Sequence, residues 1–259
     1  MKTDKNKKIL ELAGLTKVFG GLVAVQGLDL EVKTGEIMGL IGPNGAGKTT
    51  VFNLTSGVLM PTEGKVLFNG EDITHLKPDR IAQKGLVRTF QANTLFPEFT
   101  VMENVLLGCH LQADIGFFED LFPLASSRKK RDRVDEKAMD IINFAGMHDY
   151  RRETAKNLAH GYQRLLGVAI ALAAKPRLLM LDEPVSGMNA EEKTTMMELI
   201  FRVREQGISV LVVEHDMRVV MGLCDRIAVL NFGRKIAQGT PSEIQNNKDV
   251  IEAYLGVDE

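Results

Sequence analysis

The stretch of sequence that decides the fold is Gly42-Pro43-Asn44-Gly45-Ala46-Gly47-Lys48-Thr49, followed by Thr50. It fits the pattern Gly-x-x-x-x-Gly-Lys-Ser/Thr, which wraps the phosphates of a nucleotide. Glycines allow the backbone to turn so that successive N–H groups meet phosphate oxygens. Lys48 can reach the β- and γ-phosphates, and the hydroxyl of Thr49 can bind Mg²⁺. The stretch therefore predicts that the chain binds a nucleoside triphosphate.

The segments on either side of this loop support that prediction. Ile37–Ile41 is an apolar run typical of a buried strand, and the residues from Thr49 onward are predicted to form a helix. The unpaired N–H groups and the positive dipole end at a helix N-terminus favour an anion. The alternative is a glycine-rich turn that binds nothing, and the lysine, the threonine and the flanking pattern together disfavour it.

The composition is that of an ordinary folded protein. The 259 residues are 44% apolar and 25% charged, and the net charge is −2. This charge argues against broad nucleic-acid binding through a basic face. Cys109 and Cys224 are the two cysteines, and neither has a thiol or histidine near it at metal-ligand spacing. A disulfide framework or a zinc site is therefore not expected, in keeping with a reducing cytoplasm.

No part of the sequence predicts a membrane span or a signal peptide. Apolar runs stay well short of the roughly 20 residues needed to cross a bilayer. Residues 1–8 are mostly charged and polar, without the apolar region of a signal peptide. We expect residues 1–6 to be a flexible, solvated tail, and we expect any membrane contact to run through a partner.

Short β elements surround the loop, and a helical segment follows. Residues 9–12, 28–32 and 65–68 are apolar or alternating runs, and Asn69-Gly70 is a strong hairpin signal. They predict an antiparallel β layer. Residues 98–172 show helical periodicity, with apolar side chains on one helix face at Val134, Ala138, Ile141, Ile142 and Ala145.

The remaining sequence predicts a parallel sheet. Residues 178–181 and 210–213 are strongly apolar, as in strands buried on both faces, and a helix over Ala190–Glu205 would cross between them. A short strand at 226–230 and a final helix over Lys248–Leu255 complete the chain. The predicted fold is an α/β nucleotide-binding core with a helical insertion.

Polar residues that can bind a metal ion or take part in catalysis follow two of these strands. Asp182 and Glu183 end the first strand, beside the phosphate loop, where Asp182 can hold Mg²⁺ and Glu183 can position or deprotonate an attacking water. Acids that merely cap a strand are the alternative. His215 ends the next strand at the same edge and can contact the γ-phosphate, although a lone histidine is more often structural. Gln91 stands where the core gives way to the helical segment, and its amide could bind Mg²⁺ or the water.

The order of these motifs resembles the ATP-binding cassette of ABC transporters over nearly the whole chain, from Leu10 to about Thr240. The resemblance implies a P-loop NTPase (RecA-like) α/β core with an antiparallel β layer and an inserted α-helical subdomain. It implies ATP and Mg²⁺ as ligands and ATP hydrolysis as the activity. One nucleotide-binding domain would span 7–256, with the core and C-terminal helix at 7–91 and 173–256 and the helical subdomain at 92–172.

The same resemblance assigns roles to single residues. Phe19 would stack on adenine, and residues 42–50 would be the Walker A loop. Thr49, Gln91 and Asp182 would bind Mg²⁺, and Lys48, Glu183 and His215 would act in catalysis. The D-loop would be residues 186–189.

The signature motif of the family departs from its usual form. It normally reads Leu-Ser-Gly-Gly-Gln and clamps the ATP held by a second cassette, whereas the corresponding residues here are Leu158, Ala159, His160, Gly161 and Tyr162. Ala159 lacks the usual hydroxyl, and His160 adds bulk. One branch of the family commonly has Leu-Ala-Tyr-Gly-Gln, which leaves Tyr162 without a precedent. Since Glu183 and His215 are present, the resemblance predicts that the Walker side hydrolyses ATP.

That branch serves importers of branched-chain and other hydrophobic amino acids. The larger ATPase subunit of that branch is similar in sequence to this chain at residues 17–25, 88–91, 214–217 and 249–256. The implied partners are two membrane-spanning permease subunits, a second ABC ATPase (an identical or a different chain) and an extracytoplasmic substrate-binding protein, without nucleic acid. The implied location is peripheral, on the cytoplasmic face of the cell membrane.

Residues 116–133 resemble the insertion of this branch, and their apolar part could dock a partner or fold back as core. The basic run at 128–133 could touch lipid headgroups or simply begin a solvated helix.

Three rival interpretations remain open on the sequence. The chain could serve an importer of urea or amides or another ABC transporter, such as a lipopolysaccharide-type exporter. It could be a soluble ABC ATPase of DNA repair or translation, although no heptad array, cysteine cluster or second cassette is present. It could also be a regulatory cassette that binds ATP without turnover.

Overall fold

The computed structural model describes residues 7–89, 95–110 and 125–255. Within these ranges, the chain forms ten strands and nine α-helices. The strands are β1 (Lys8–Phe19), β2 (Leu22–Lys33), β3 (Ile37–Ile41), β4 (Glu63–Phe68), β5 (Glu71–Asp72), β6 (Leu86–Arg88), β7 (Leu178–Asp182), β8 (Ser209–Val213), β9 (Arg226–Asn231) and β10 (Arg234–Gly239). The helices are α1 (Lys48–Thr55), α2 (Pro78–Gln83), α3 (Val101–His110), α4 (Ala125–Phe144), α5 (His160–Ala173), α6 (Ala190–Glu205), α7 (Met217–Leu223), α8 (Pro241–Gln245) and α9 (Lys248–Leu255).

The chain divides into two compact units. The core unit takes residues 1–88, 177–184 and 200–259, and the helical unit takes residues 89–176 and 185–199. Helix α6 begins in the helical unit and ends in the core unit. The predicted tail at 1–6, the metal candidate Gln91 and residues 116–124 of the predicted insertion lie outside the described residues.

A six-stranded sheet in the order β10-β9-β3-β8-β7-β6 forms one layer of the core unit. Strands β6, β7, β8, β3 and β9 are parallel, and β10 pairs antiparallel with β9. All residues of β3, β7 and β8 are buried, which explains why these strands are apolar except for Asp182 at the end of β7 and Ser209 at the start of β8. Because β8 lies between β3 and β7, the strand that ends in Asp182 is separated by one strand from the strand that leads to the phosphate loop.

The second layer of the core unit is the antiparallel sheet that the sequence predicts. Its order is β2-β1-β4-β5. Asn69 and Gly70 join β4 to β5 with φ of 52° and 82°, the left-handed conformations of a tight hairpin turn. One hydrophobic cluster combines residues of both sheets with α1, whose Phe52 is fully buried. Strands, turn and α1 thus confirm the predicted α/β core with its antiparallel layer.

The helical unit contains α3, α4 and α5 and the start of α6. A methyl group on Gly108 of α3 would lie 3.0 Å from the carbonyl oxygen of Ile170 in α5, so glycine lets these two helices approach closely. Of the five apolar positions predicted to share one face of α4 and its end, four are buried and Ile141 is partly exposed. The predicted amphipathic helix is confirmed.

The sequence located some elements well and missed others. Helices α6 and α9 have the predicted bounds. Strand β10 and helix α8 were not predicted, although both carry local signals. Phe232 and Gly233 adopt φ of 44° and 77° and reverse the chain into β10. Thr240 and Glu243 form a capping box that begins α8.

Among the described residues, no helix is both long enough and apolar enough to cross a membrane.

Both cysteines are buried, and we expect them to resist alkylation in the folded chain. Burial raises the pKa of Cys224 from 9.0 to about 12 and also raises the pKa of Cys109. A shift of this size lowers the thiolate fraction of Cys224 about a thousandfold. Iodoacetamide at mildly alkaline pH should label neither residue in the native chain and both in guanidinium chloride, as peptide mass mapping would show. Fast labelling of native Cys224 would contradict this expectation.

Candidate active site

The phosphate loop lies in a tight backbone channel of the core unit. Gly42 has φ of 151°, and a methyl group there would overlap the carbonyl oxygen of Leu230, the residue before the end of β9. Gly47 has φ of 101°, and a methyl group there would lie 2.6 Å from the carbonyl oxygen of Ala24 in β2. Both positions therefore require glycine for conformation and for space. The glycines of the motif fit the loop between β9 and β2.

Helix α1 begins at this loop without a side-chain cap. Gly47 is its N-cap residue in the left-handed conformation, and the first turn holds no acidic residue. Thr49 is exposed and Thr50 is partly exposed. The first N–H groups of a helix have no intrahelical acceptor, and the dipole leaves a positive potential there. This end of α1 is therefore a suitable place for a phosphate group.

Lys48 is buried and bonded to the loop itself. Its Nζ donates to the carbonyl oxygens of Gly42 at 2.7 Å and of Pro43 at 2.9 Å. Burial lowers the pKa of Lys48, and the carboxylate of Glu183 opposes that effect. The ammonium group is thus held over the loop by two carbonyl groups, which phosphate oxygens could replace as acceptors.

Two carboxylates and a histidine stand at the carboxyl edge of the sheet. Asp182 is the last residue of β7, and Glu183 follows with φ of 48°, a conformation that few non-glycine residues adopt. A hydrogen bond of 2.9 Å from the N–H of Glu183 to the carbonyl of Val213 in β8 supports this backbone. His215 follows β8, and its Nδ1 lies 3.8 Å from Oε1 of Glu183.

The structure therefore brings together three of the predicted catalytic side chains. The charge of Glu183 raises the pKa of Lys48 against the effect of burial, and His215 lies beside the same carboxylate. The side chains of Glu183 and His215 are 33% and 58% exposed, so water reaches both. A cation, a carboxylate and an imidazole around the end of an uncapped helix can bind a polyphosphate and position a water molecule against it.

Arg88 is a residue of this site for which the sequence predicted no role. It ends β6, and its Nη2 donates to Oδ2 of Asp182 at 2.8 Å. Both side chains are buried, at 8% and 4% exposure. The available signal was an arginine at the end of a short strand that is otherwise apolar, because a buried charge of that kind requires a partner.

The donor set fits a magnesium ion bound together with phosphates. Mg²⁺ is usually held by one or two carboxylates plus substrate phosphates and water. Asp182 supplies a carboxylate at the edge of the sheet, and Thr49 supplies an exposed hydroxyl in the first turn of α1. The described residues contain no cluster of three or more metal-binding side chains of their own. The third predicted ligand, Gln91, lies in a stretch that the structure does not describe.

Phe19 lies at the tip of the β1–β2 hairpin. The residue is 44% exposed, and Nζ of Lys17 lies 5.0 Å from the ring centroid. An exposed aromatic ring beside a cation can stack on a base. Phe19 therefore lies at the surface of the core unit, where a residue that stacks on adenine has to be.

The signature residues occupy the start of α5 in the helical unit. Leu158 is buried, Ala159 is the N-cap residue without a side-chain cap, and the helix begins at His160. A methyl group on Gly161 would lie 2.5 Å from Oε1 of Glu192 in α6, so a larger residue there would displace the end of that side chain. The retained glycine of the motif thus lies against the side chain of Glu192 within this unit.

Tyr162 has a partner that explains its presence. Its ring lies 4.3 Å from that of Tyr150, centroid to centroid, with an interplanar angle of 41°. A hydrogen bond with Tyr150 and burial raise the pKa of Tyr162. The departure from glutamine at this position therefore belongs to an aromatic pair inside the helical unit.

Two family models match the sequence. The model described as ABC transporter matches residues 25–186, more than half of the chain. The model described as branched-chain amino acid ATP-binding cassette transporter matches residues 234–259. The first match covers the phosphate loop, Asp182 and Glu183, and the second covers β10, α8 and α9.

Known proteins resemble the chain over almost its full length. It is 43% identical to the high-affinity branched-chain amino acid transport ATP-binding protein BraF of Pseudomonas aeruginosa, covering 97% of this chain and 99% of that protein. The corresponding protein LivG of Escherichia coli K12 is also 43% identical over the same shares. Among solved structures, a cassette of an ABC transporter in its ADP conformation has a TM-score of 0.85 at 30% identity, covering 96% of this chain and 99% of that chain.

Proposed function

The chain belongs to the ABC transporter family, within its branched-chain amino acid ATP-binding proteins, and from this premise we propose that it is the ATP-hydrolysing subunit of an importer of branched-chain amino acids. One observation carries the proposal. The phosphate loop, Lys48, Glu183 and His215 converge at one edge of a sheet in a chain that matches such subunits from end to end.

The loop and α1 would bind the triphosphate. The N–H groups of residues 42–50 and the open end of α1 would surround the phosphate oxygens. Lys48 would exchange its two carbonyl acceptors for oxygens of the β- and γ-phosphates, which keeps the buried ammonium group satisfied throughout. Phe19 would stack on the adenine ring. When bound, Mg²⁺ would neutralise phosphate charge at Asp182 and Thr49, with Gln91 as a further ligand.

Glu183 would act on the attacking water. Its carboxylate orients the water and accepts its proton as the oxygen attacks the γ-phosphorus and the bond to ADP breaks. His215, within 4 Å of Glu183, would donate a hydrogen bond to the γ-phosphate and would lose that contact after hydrolysis. ATP or ADP can bias a conformational equilibrium of the cassettes only through its different affinities for the two conformations.

The helical unit would complete the site of a second cassette. The start of α5, Leu158 to Tyr162, presents an uncapped helix end that suits the γ-phosphate bound by a partner cassette, identical or different. We propose residues 92–172 as the helical subdomain and 7–91 with 173–256 as the core. Dimeric cassettes exist among the solved structures that share this fold.

Transport requires further chains. We propose two membrane-spanning permease subunits and an extracytoplasmic substrate-binding protein as partners, with this chain peripheral on the cytoplasmic face of the cell membrane. The transported amino acid would then cross through the permeases, and its identity would be determined there.

The proposal is tested by purifying the tagged chain from a mild-detergent membrane extract and identifying the co-purifying polypeptides. Two multi-span permeases and a second cassette are expected, and membranes without the tagged chain are the control. Vesicles that contain the complex should take up labelled leucine with ATP inside, and a complex with Lys48→Ala should assemble but not transport. Co-purification with ribosomes or DNA-repair proteins, or uptake of urea or amides in place of leucine, would contradict the proposal.

A further inference from the structure

The guanidinium group of Arg88 is buried under the carboxyl edge of the large sheet. Its Nη2 donates to Oδ2 of Asp182 at 2.8 Å, and the side chains of both residues are more than nine-tenths buried. Strands β6 and β7 place these residues together, since Arg88 pairs with Met180, two residues before Asp182. The ion pair is therefore a product of strand register rather than of chance contact on a surface.

The other terminal nitrogen of the guanidinium group, Nη1, reaches α1 and the residue that follows it. Nη1 of Arg88 donates to Oδ1 of Asn53 at 2.6 Å and to Oγ of Ser56 at 3.3 Å. The ring of Phe52 lies 5.4 Å from the guanidinium carbon. One planar group thus connects the carboxylate that ends β7 with the helix whose first residues are Lys48 and Thr49.

This arrangement leaves one oxygen of Asp182 available. Oδ2 is engaged by Arg88, and among the described residues Oδ1 accepts no hydrogen bond. The planar guanidinium keeps its two terminal nitrogens in a fixed geometry, so the carboxylate on Nη2 and the acceptors on Nη1 are held relative to each other, which an ammonium group does less well. Groups that hold a metal-binding carboxylate from behind affect metal affinity strongly.

We propose that Arg88 is a positioning residue for the magnesium ion that accompanies ATP. It orients Asp182 so that Oδ1 meets the cation, and it ties that carboxylate to α1, which carries the hydroxyl of Thr49. The inference rests on the proposed function, because it assumes that Asp182 is a metal ligand. It adds a residue that contacts neither the nucleotide nor the cation.

A purely structural ion pair is the alternative, and the chain offers a matched control for it. Arg226 begins β9, the strand next to β10 in the same sheet, and is largely buried, with its side chain 19% exposed. Its Nη1 lies 3.4 Å from Oε2 of Glu36. Replacing Arg226 removes a comparable ion pair from the same unit but cannot affect Asp182 directly.

The test measures metal binding without turnover. Mn²⁺ is titrated into the chain saturated with ADP, and electron paramagnetic resonance reports the free ion. We expect Arg88→Met to weaken Mn²⁺ binding about 10- to 100-fold. ADP binding in the presence of a chelator should stay within about twofold, since Arg88 does not contact the nucleotide, and Arg226→Met should bind Mn²⁺ as the unchanged chain does.

Two milder variants keep the proposal falsifiable if Arg88→Met does not fold. Arg88→Lys retains the charge without the planar guanidinium and should recover part of the lost affinity. Asn53→Ala leaves the ion pair but removes its anchor on α1, and it should weaken Mn²⁺ binding by a smaller factor than Arg88→Met.

The outcomes separate this inference from the proposed function. Unchanged Mn²⁺ affinity in the folded Arg88 variants, or an equal loss in Arg226→Met, would overturn the positioning role. If the unchanged chain binds ADP and its affinity for Mn²⁺ is not raised by ADP, the metal site of the proposed function fails instead.

Discussion

Glu183→Gln should lower the turnover number for ATP about 10²- to 10⁴-fold while leaving nucleotide affinity nearly unchanged. Glutamine has the size and shape of glutamate but cannot accept a proton from the attacking water. The backbone support of this position, the hydrogen bond from its N–H to the carbonyl of Val213, is kept. Phosphate release and binding of a fluorescent ATP analogue, measured on the pair of cassettes, separate the two quantities.

The control for this variant is Glu98→Gln. Glu98 is 70% exposed and pairs with Lys156 in the helical unit, so its replacement should leave turnover as it is. If the unchanged pair hydrolyses ATP no faster than the Glu183 variant, the chain is a regulatory cassette that binds ATP without turnover. Ala159 and His160 would then be the first residues to replace, by the serine and the glycine of the usual motif.

Gly42→Ala should abolish nucleotide binding and destabilise the fold by about 2–6 kcal/mol, the sum of overpacking and backbone strain. The added methyl group would overlap the carbonyl oxygen of Leu230, and backbone atoms of a buried strand cannot move aside as a side chain can. The φ of 151° adds strain for any residue with a Cβ. Urea unfolding without nucleotide and ADP titration measure the two losses.

Gly45→Ala is the matched control in the same loop. Gly45 has φ of 81°, but a methyl group there would meet no atom within 4 Å. This substitution should lower the free energy of unfolding by about 1–2 kcal/mol, the cost of the left-handed conformation alone. Equal destabilisation by the two substitutions would show that the approach of Leu230 is not the reason for the glycine at position 42.

Local signals explain why so much of the fold could be predicted. The apolar runs of β3, β7 and β8 are visible because burial on both faces leaves few polar positions. The turn at Asn69 and Gly70 is visible because few other residues adopt its left-handed conformations. Such features are determined by neighbours in the sequence, and the structure confirms them.

Strand order and side-chain partners could not be predicted in the same way, because they depend on residues far apart in the chain. The bond from Arg88 to Asp182 spans 94 positions, and no periodicity or spacing announces it. Tyr162 is only twelve residues from Tyr150, yet their ring contact depends on the short 3₁₀ turn at His148–Tyr150 and on the loop before α5. A residue that looks out of place in a motif is explained by a partner outside that motif.

The position of β8 between β3 and β7 has a consequence for the width of the site. Neighbouring strands are about 4.8 Å apart, so the strand leading to the phosphate loop and the strand ending in the acids are about 10 Å apart. The residues that would hold the phosphates and the residues that would act on the water therefore follow strands that do not pair with each other. One intervening strand sets the width of the site, and the side chains of Lys48 and Glu183 span that width to act on each other.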